Sequence, residues 1–174
     1  MPDRRVGEIM IPIEQYPSVT DTATLKEAIK VIEEAQLEVD RKKSLPRVLL
    51  VFDAIGVMVG YVRRRDIMRG LEPRSYIAQP LDYRKKPFEV GLDPNLSEFT
   101  FDRVMKSIID QSDRPITDVM QPNDILIDAD DHCVKAMYEM VAYDLSHLPV
   151  ISKGELVGVV RSVDVFNELV QLVT

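Results

Sequence analysis

Four short sequence blocks occur twice in this 174-residue chain, in the same order each time. VGEIM at 6–10 matches ITDVM at 116–120, and TLKEAIKVI at 24–32 matches HCVKAMYEM at 132–140. SLPRV at 44–48 matches HLPVI at 147–151, and GYVRRRD at 60–66 matches GVVRSVD at 158–164. The offset drifts only from 110 to 98 residues, as expected for an insertion in the first copy. The chain therefore contains two copies of one structural unit.

Each copy predicts the element order β-α-β-β-α. A T-x-x-E capping box at Thr24 and Glu27 predicts the first helix of copy one. In copy two we expect Asp130 or Asp131 to cap the matching helix. Two strands follow in each copy, and Lys153-Gly154 predicts a tight hairpin turn between the second pair. A last helix begins after the strand, and the predicted fold class is α+β, with helices packed against small sheets.

The repeats predict two domains, 1–70 and 116–174, joined by a segment at 71–115. Apolar residues recur at helical spacing late in that segment, which predicts an extra helix over about 97–111. A connection of this length is longer than most loops between structural elements, which favours a helix within it.

Charge is unevenly distributed along the chain. Residues 41–86 carry a net charge of +8 within a chain of net charge −7. Such a partition is typical of a local anion site in an acidic protein, although solvated loops and helix faces give the same pattern. The acidic total disfavours a dedicated nucleic-acid binder.

Other composition features exclude several protein classes. The single cysteine, Cys133, excludes an internal disulfide framework and a multi-cysteine zinc site. No apolar run approaches the ~18 residues of a membrane span, and the first residues lack the apolar core of a signal peptide. We therefore expect a cytoplasmic protein that does not enter the membrane.

The repeated unit resembles the cystathionine-β-synthase (CBS) domain, and the chain resembles a tandem CBS pair. The residues that carry the resemblance are IM at 9–10, VM at 119–120, LP at 45–46, HLPV at 147–150 and the two blocks that run from glycine to aspartate. The resemblance implies two repeats packed sheet to sheet about a pseudo-two-fold axis. It also implies two clefts that take an adenosyl ligand: AMP, ADP, ATP or S-adenosylmethionine.

The function implied by the resemblance is that of a stand-alone regulatory module, which binds an adenine nucleotide and signals to an unknown effector protein. We expect that it is not an enzyme, because the sequence has no convergent catalytic set, and that it requires no cofactor. The alternative is a structural or dimerisation module whose clefts are empty.

Asp66 and Asp164 match the aspartate that, in the family, accepts hydrogen bonds from the ribose hydroxyls of the ligand. The alternative role for each is a helix-start carboxylate that offsets the helix dipole. Backbone N–H groups at the same helix starts favour phosphate.

The chain departs from the family three residues after each glycine. The family has Thr or Ser at this position, whereas this chain has Arg63 and Arg161. A guanidinium is a planar fork of donors suited to phosphate, so these residues either bind phosphate or fill the cleft. Arg64 and Ser162 come next and join the candidate site.

Apolar and backbone contacts are expected to hold the adenine base. Ordinary packing is the alternative for each of these residues. The candidates are Ile11, Pro12, Val19, Pro46, Arg47 and Val48 in copy one, and Ile125, Pro149 and Val150 in copy two.

The two histidines and the cysteine do not predict a metal site or a catalytic site. His132, Cys133 and His147 lack further ligands at a recognised metal-binding spacing. We expect His147 to make a hydrogen bond at the start of a strand, and Cys133 to act as a small apolar filler.

The last helix predicts a homodimer. Its apolar residues would leave an exposed stripe on a monomer, and a two-fold interface would bury that stripe. They are Val165, Phe166, Leu169, Val170 and Leu172.

Overall fold

The computed structural model of the chain describes residues 4–35, 37–39, 42–73 and 98–173. Its helices and strands are, in chain order, α1 (Val6–Ile9), β1 (Ile11–Pro12), β2 (Ser18–Thr20), α2 (Leu25–Glu34), β3 (Leu37–Val39), β4 (Lys42–Ser44), β5 (Val48–Phe52), β6 (Met58–Arg63), α3 (Arg64–Leu71), α4 (Glu98–Gln111), β7 (Ile127–Asp128), α5 (Cys133–Ala142), β8 (His147–Ser152), β9 (Glu155–Arg161) and α6 (Ser162–Val173).

Two small sheets form the frame of the molecule. The first has the strand order β2-β5-β6, with β2 parallel to β5 and β6 antiparallel to it. The second has the order β1-β9-β8-β7, with β7 parallel to β8. Helices pack on both, which confirms the predicted α+β class with two repeats. A separate antiparallel ribbon of β3 and β4 lies where the sequence indicated only an insertion.

The opening segment of each repeat packs on the other repeat. From the first repeat, β1 pairs with β9 of the second repeat, and Val6 and Ile9 of α1 lie in the hydrophobic core of the second repeat. Ile116 lies in the core of the first repeat. Gln121 and Tyr61 exchange two backbone hydrogen bonds of 2.9 and 3.0 Å. The hydrophobic core of each repeat is therefore completed by the opening segment of the other repeat.

The repeated glycines lie where these exchanged segments approach most closely. A Cβ built on Gly60 would lie 2.5 Å from the carbonyl oxygen of Gln121. A Cβ on Gly158 would lie 2.6 Å from the carbonyl oxygen of Ile11. Since real Cβ atoms do not approach backbone oxygens so closely, only glycine fits without a shift of the neighbouring segment.

Helix caps and turns agree with the sequence in all but one case. The capping box at Thr24 and Glu27 is confirmed, as is the hairpin turn at Lys153-Gly154. The expected aspartate cap of α5 is wrong. His132 holds that position, and its Nδ1 accepts the N–H of Val134 at 3.2 Å.

The helix α4 lies in the segment between the repeats, where the sequence predicts one, and it contacts α3. The guanidinium of Arg114 connects this region to the first repeat, because it donates to the carbonyl of Gly70 at 3.0 Å and pairs with Asp118.

Among the helices in the described ranges, none has the length and apolar character needed to cross a membrane.

We predict that Gly60→Ala and Gly158→Ala each lower the free energy of unfolding by about 1–3 kcal/mol, because the added methyl overpacks the junction between the repeats. Val57→Ala is the control, since its side chain is exposed and should change stability by about 0.5 kcal/mol or less. Urea unfolding of the three variants measures the effect. Glycine variants as stable as the control would contradict the close approach of the exchanged segments.

Candidate functional site

Two equivalent junctions of strand and helix define the candidate site. In the first repeat, β6 ends at Arg63, which is also the N-cap of α3, and Asp66 lies in the first helical turn. In the second repeat, β9 ends at Arg161, and Asp164 lies in the first turn of α6. The equal spacing places an arginine and an aspartate side by side at both junctions.

At the first junction, the arginine donates two parallel hydrogen bonds to the aspartate. Arg63 Nε donates to Asp66 Oδ2 at 2.7 Å, and Nη2 donates to Oδ1 at 2.9 Å. The backbone N–H of Arg63 adds a third bond of 3.0 Å, and Gln121 Nε2 donates to Oδ1 at 3.4 Å. Burial would raise the pKa of the Asp66 carboxyl, but the hydrogen bonds and charge of Arg63 hold it below its usual value.

The second junction repeats this geometry. Arg161 Nε donates to Asp164 Oδ2, and Nη2 donates to Oδ1, both at 2.7 Å. Asp66 and Asp164 are both buried. The carboxylates that the sequence assigns to ribose are thus bonded to arginines of their own chain. The reason is local: the arginine that replaces the family's hydroxyl residue reaches the carboxylate three residues later.

A basic cavity of about 650 Å³ opens beside the first junction. Arg47, Arg64 and Arg65 line it with exposed side chains, for which the described residues provide neither an ion pair nor a hydrogen bond. Asp144 is the one acidic residue among the residues that line it. Since unpaired guanidinium groups attract anions, this wall favours a phosphate-bearing ligand. The remaining lining residues are Val48, Tyr61, Arg63, Met68, Leu145, Ser146, His147 and Ser162.

A neighbouring cavity of about 710 Å³ lies beside the second junction. It shares Arg47 and Arg64 with the first cavity, but Ser162 and Val163 hold the places that Arg64 and Arg65 have on α3. Its other lining residues include Arg161 and several apolar side chains, among them Tyr16, Leu45 and Phe166. The two junctions therefore differ in charge.

The other predicted site residues divide into two groups. Ile11 and Pro12 line a smaller cavity of about 220 Å³ together with Asp164, and Ile125 lines one of about 270 Å³ with Tyr61 and His147. Outside the cavities described above, Val19 packs on the core of the first repeat, and Val150 lies in the core of the second. Pro46 and Pro149 are likewise buried and line none of the four cavities. For these last four residues, the structure shows packing within the protein, which is the alternative to a ligand contact.

The sequence assigned His147 only a structural role, whereas the structure places it in the lining of three cavities. Its side chain is 3% exposed, and its ring meets that of Tyr61 edge to face at a centroid distance of 4.6 Å. The expected hydrogen bond is wrong for Nδ1, which has no partner among the described residues. Burial, and then the charge of Arg63, lower the pKa of His147 to about 4. The sequence did show that this position differs between the repeats, because the residue of the first repeat that matches His147 is Ser44.

Cys133 and the acidic residues do not form a metal site in the part of the chain that the structure describes. There, no three His, Cys, Asp or Glu side chains are placed to hold a metal ion. Cys133 is buried, and burial raises the pKa of its thiol. Its place in the core of the second repeat fits the predicted apolar filler.

Comparison with known proteins places this geometry in a family. The sequence model described as "CBS domain" matches residues 6–73 and 116–171. No curated protein shows significant sequence similarity to the chain.

Several solved structures share the fold. CBSX2 in complex with AMP is 16% identical with a TM-score of 0.61, and the match covers 98% of both chains. CBSX2 from Arabidopsis thaliana is 18% identical with a TM-score of 0.62, and the match covers 97% of this chain and 95% of that one. A putative acetoin utilization protein (AcuB) from Vibrio cholerae is 17% identical with a TM-score of 0.60, over 98% of this chain and 93% of that one.

We predict that His147 makes the folded state less stable in mild acid. Its pKa of about 4 in the folded state lies below 6.5, the ordinary value for histidine. The unfolded chain therefore binds the proton first, so the stabilising contribution is complete above about pH 6.5 and is lost as the pH falls toward 4. Between pH 7 and pH 5 the loss should be about 2 kcal/mol. Urea unfolding of the wild type and of His147→Leu at both pH values measures it, and an equal loss in the variant would contradict the assignment.

Proposed function

Because this chain belongs to the CBS domain family and carries two such domains in tandem, we propose that it is a regulatory module that binds an adenine nucleotide and signals to a partner protein. The observation that carries the proposal is the arginine wall at the start of α3, beside the ion pair of Arg63 with the buried Asp66. The AMP complex of a protein with the same fold supports the choice of adenine nucleotide.

The arginine wall fits the phosphate end of such a ligand. Arg47, Arg64 and Arg65 have no anionic partner among the described residues, and backbone N–H groups at the start of α3 add positive potential. A cavity of about 650 Å³ lies within the size range of small-molecule sites. A ligand with two or three phosphates meets more of these groups than one with a single phosphate.

Ligand binding in this proposal exchanges the partners of Arg63. A phosphate oxygen competes with Asp66 for the guanidinium fork, because both present oxygens in the geometry that arginine binds bidentately. The released carboxylate of Asp66 then accepts hydrogen bonds from the ribose hydroxyls. The same exchange is available at Arg161 and Asp164, where the second cleft takes its ligand with fewer arginines.

The exchange gives the module a way to transmit a signal. Asp66 also accepts from Gln121, which belongs to the segment that bridges the two repeats. Movement at the junction thus reaches both repeats, and an effector protein that contacts either repeat would sense it. A regulatory rather than enzymatic role is part of the proposal.

Homodimer formation stays a prediction of the sequence and belongs to this proposal. Two residues of the stripe that the sequence predicts do not face outward, because Val165 is buried in the core of the second repeat and Leu169 packs on that core. The last helix instead presents Val163, Phe166, Val170 and Val173 at helical spacing with exposed side chains. Their spacing places them on one side of α6, and a two-fold contact between two copies would cover them.

The second candidate is a structural module with empty clefts. The observation that favours it is that both arginines are already bonded to their aspartates, so neither carboxylate is free for ribose. This candidate predicts no response to any nucleotide, which makes the two functions separable in one experiment.

We predict that ATP and ADP bind more tightly than AMP, and that their affinity falls as the salt concentration rises, because exposed guanidinium groups are screened within about 10 Å at 0.1 M salt. Arg64→Ala should weaken ATP binding roughly tenfold, since one charge-assisted hydrogen bond is lost. Calorimetric titration of the three nucleotides at low and high salt measures this.

Arg69→Ala is the matched control, because Arg69 is exposed on the same helix but lines none of the cavities described above. It should leave ATP affinity within about twofold, given the screening of a more distant charge. Equal affinities without salt dependence would mean that the arginines only face solvent. No binding of any of the three nucleotides would favour the empty-cleft module.

A further inference from the structure

His147 lies where three of the cavities meet. It lines the basic cavity of about 650 Å³, the neighbouring cavity of about 710 Å³ and the cavity of about 270 Å³ beside Ile125. Its ring is 3% exposed, and Nδ1 has no hydrogen-bond partner among the described residues. A buried polar atom in this state destabilises a fold unless something else supplies its partner.

The groups around His147 do not supply that partner. Tyr61 and Arg63 face it from β6, and Arg161 faces it from β9 as its paired residue. Arg47 and Arg64 line the same cavities from the first repeat, and Asp144 lines the basic cavity just before β8. Arginine side chains offer only donors, so the site is rich in donors and poor in acceptors. A ligand that brings anionic oxygens reverses this imbalance.

We propose that His147 is a specificity-determining residue whose buried ring donates a hydrogen bond to a phosphate oxygen of the bound ligand. This inference rests on the proposed nucleotide function and adds to it a residue that selects phosphorylated ligands over the bare nucleoside. The ring is neutral at pH 7, so one of its nitrogens carries a hydrogen while the other does not. Binding of phosphate favours the tautomer with the hydrogen on the nitrogen that faces the oxygen.

The surroundings of His147 differ between the two cavities that it lines. The counterpart of His147 in the first repeat is Ser44, and the counterpart of Tyr61 in the second is Val159. His147 lines both cavities, but Tyr61 lines only the basic cavity of the two. Arg65 likewise lines the basic cavity and not its neighbour, so more arginine side chains surround the ring of His147 on that side.

The test compares His147→Leu and His147→Asn with the wild type, using ATP, adenosine and inorganic tripolyphosphate as probes in calorimetric titrations at pH 7. Leucine removes the hydrogen bond, and asparagine keeps a donor near the position of Nδ1. We expect His147→Leu to weaken ATP and tripolyphosphate binding about tenfold and to leave adenosine binding unchanged. His147→Asn should restore both affinities to within about threefold of the wild type, because a neutral donor is retained.

His132→Asn is the matched control. His132 caps α5 and lines none of the four cavities, and asparagine is a strong N-cap residue. This variant should bind ATP as the wild type does. Thermal unfolding separates a ligand contact from a structural role: the free His147→Leu protein should melt at the same or a higher temperature, since it no longer buries an unpaired polar atom.

Three results would overturn the inference. One is unchanged ATP and tripolyphosphate affinity in His147→Leu. Another is an equal loss for adenosine and ATP, which would mean that His147 shapes the pocket rather than contacts phosphate. The third is tripolyphosphate that fails to bind the wild type. Failure of the nucleotide function looks different: ATP would bind no more tightly than tripolyphosphate, and adenosine would not bind.

Discussion

The structure depends on two buried carboxylates that must be kept charged and paired. Asp66 and Asp164 lie at the points where the central strands become helices, and each is bonded through both oxygens to the arginine three residues before it. Removing one partner of such a pair leaves an uncompensated buried charge, which typically costs about 3–5 kcal/mol. The pairs therefore join the end of each strand to the first turn of the helix that follows it.

In the proposed function, the same pairs determine how a ligand enters. A hydroxyl at the arginine position would leave the aspartate free, whereas here an incoming group must compete for an ion pair that is already made. Phosphate is the chemical group that competes well, because it accepts the guanidinium fork in the same bidentate manner as carboxylate. Around the first junction, arginines that have no anionic partner among the described residues raise the local concentration of such an anion.

Features that depend on neighbours in sequence could be predicted from it. The helix cap at Thr24, the turn at Lys153-Gly154 and the two repeats follow from local patterns. The exchange of opening segments could not, because the pairing of β1 with β9 joins residues almost 150 positions apart, as Ile11 with Val159. Glycine at 60 and 158 was visible as a repeat, but its cause is a backbone contact with the other copy. Hydrophobic periodicity alone does not say which copy a short segment packs on.

The candidate site was predicted in part for the same reason. The arginines and aspartates were found because they share a repeated block, yet their mutual bonds were not foreseen. The ligand contact predicted for Val150 stays a prediction, while its side chain lies in the core of the second repeat. A strand covered on both faces gives no alternation that marks the inward side. His147 was assigned an ordinary hydrogen bond, but Tyr61 packs against its ring, and Nδ1 has no partner in the part of the chain that the structure describes.

The central claim is that nucleotide binding transfers Arg63 from Asp66 to phosphate. A crystal structure of the protein with ADP bound tests it most directly, through the distance between Arg63 Nε and Asp66 Oδ2, which is 2.7 Å in the free protein. The account predicts that this contact opens beyond hydrogen-bonding distance, about 3.5 Å, with the guanidinium on a phosphate oxygen and the carboxylate on the ribose. ADP bound in the cavity with the ion pair intact would contradict it.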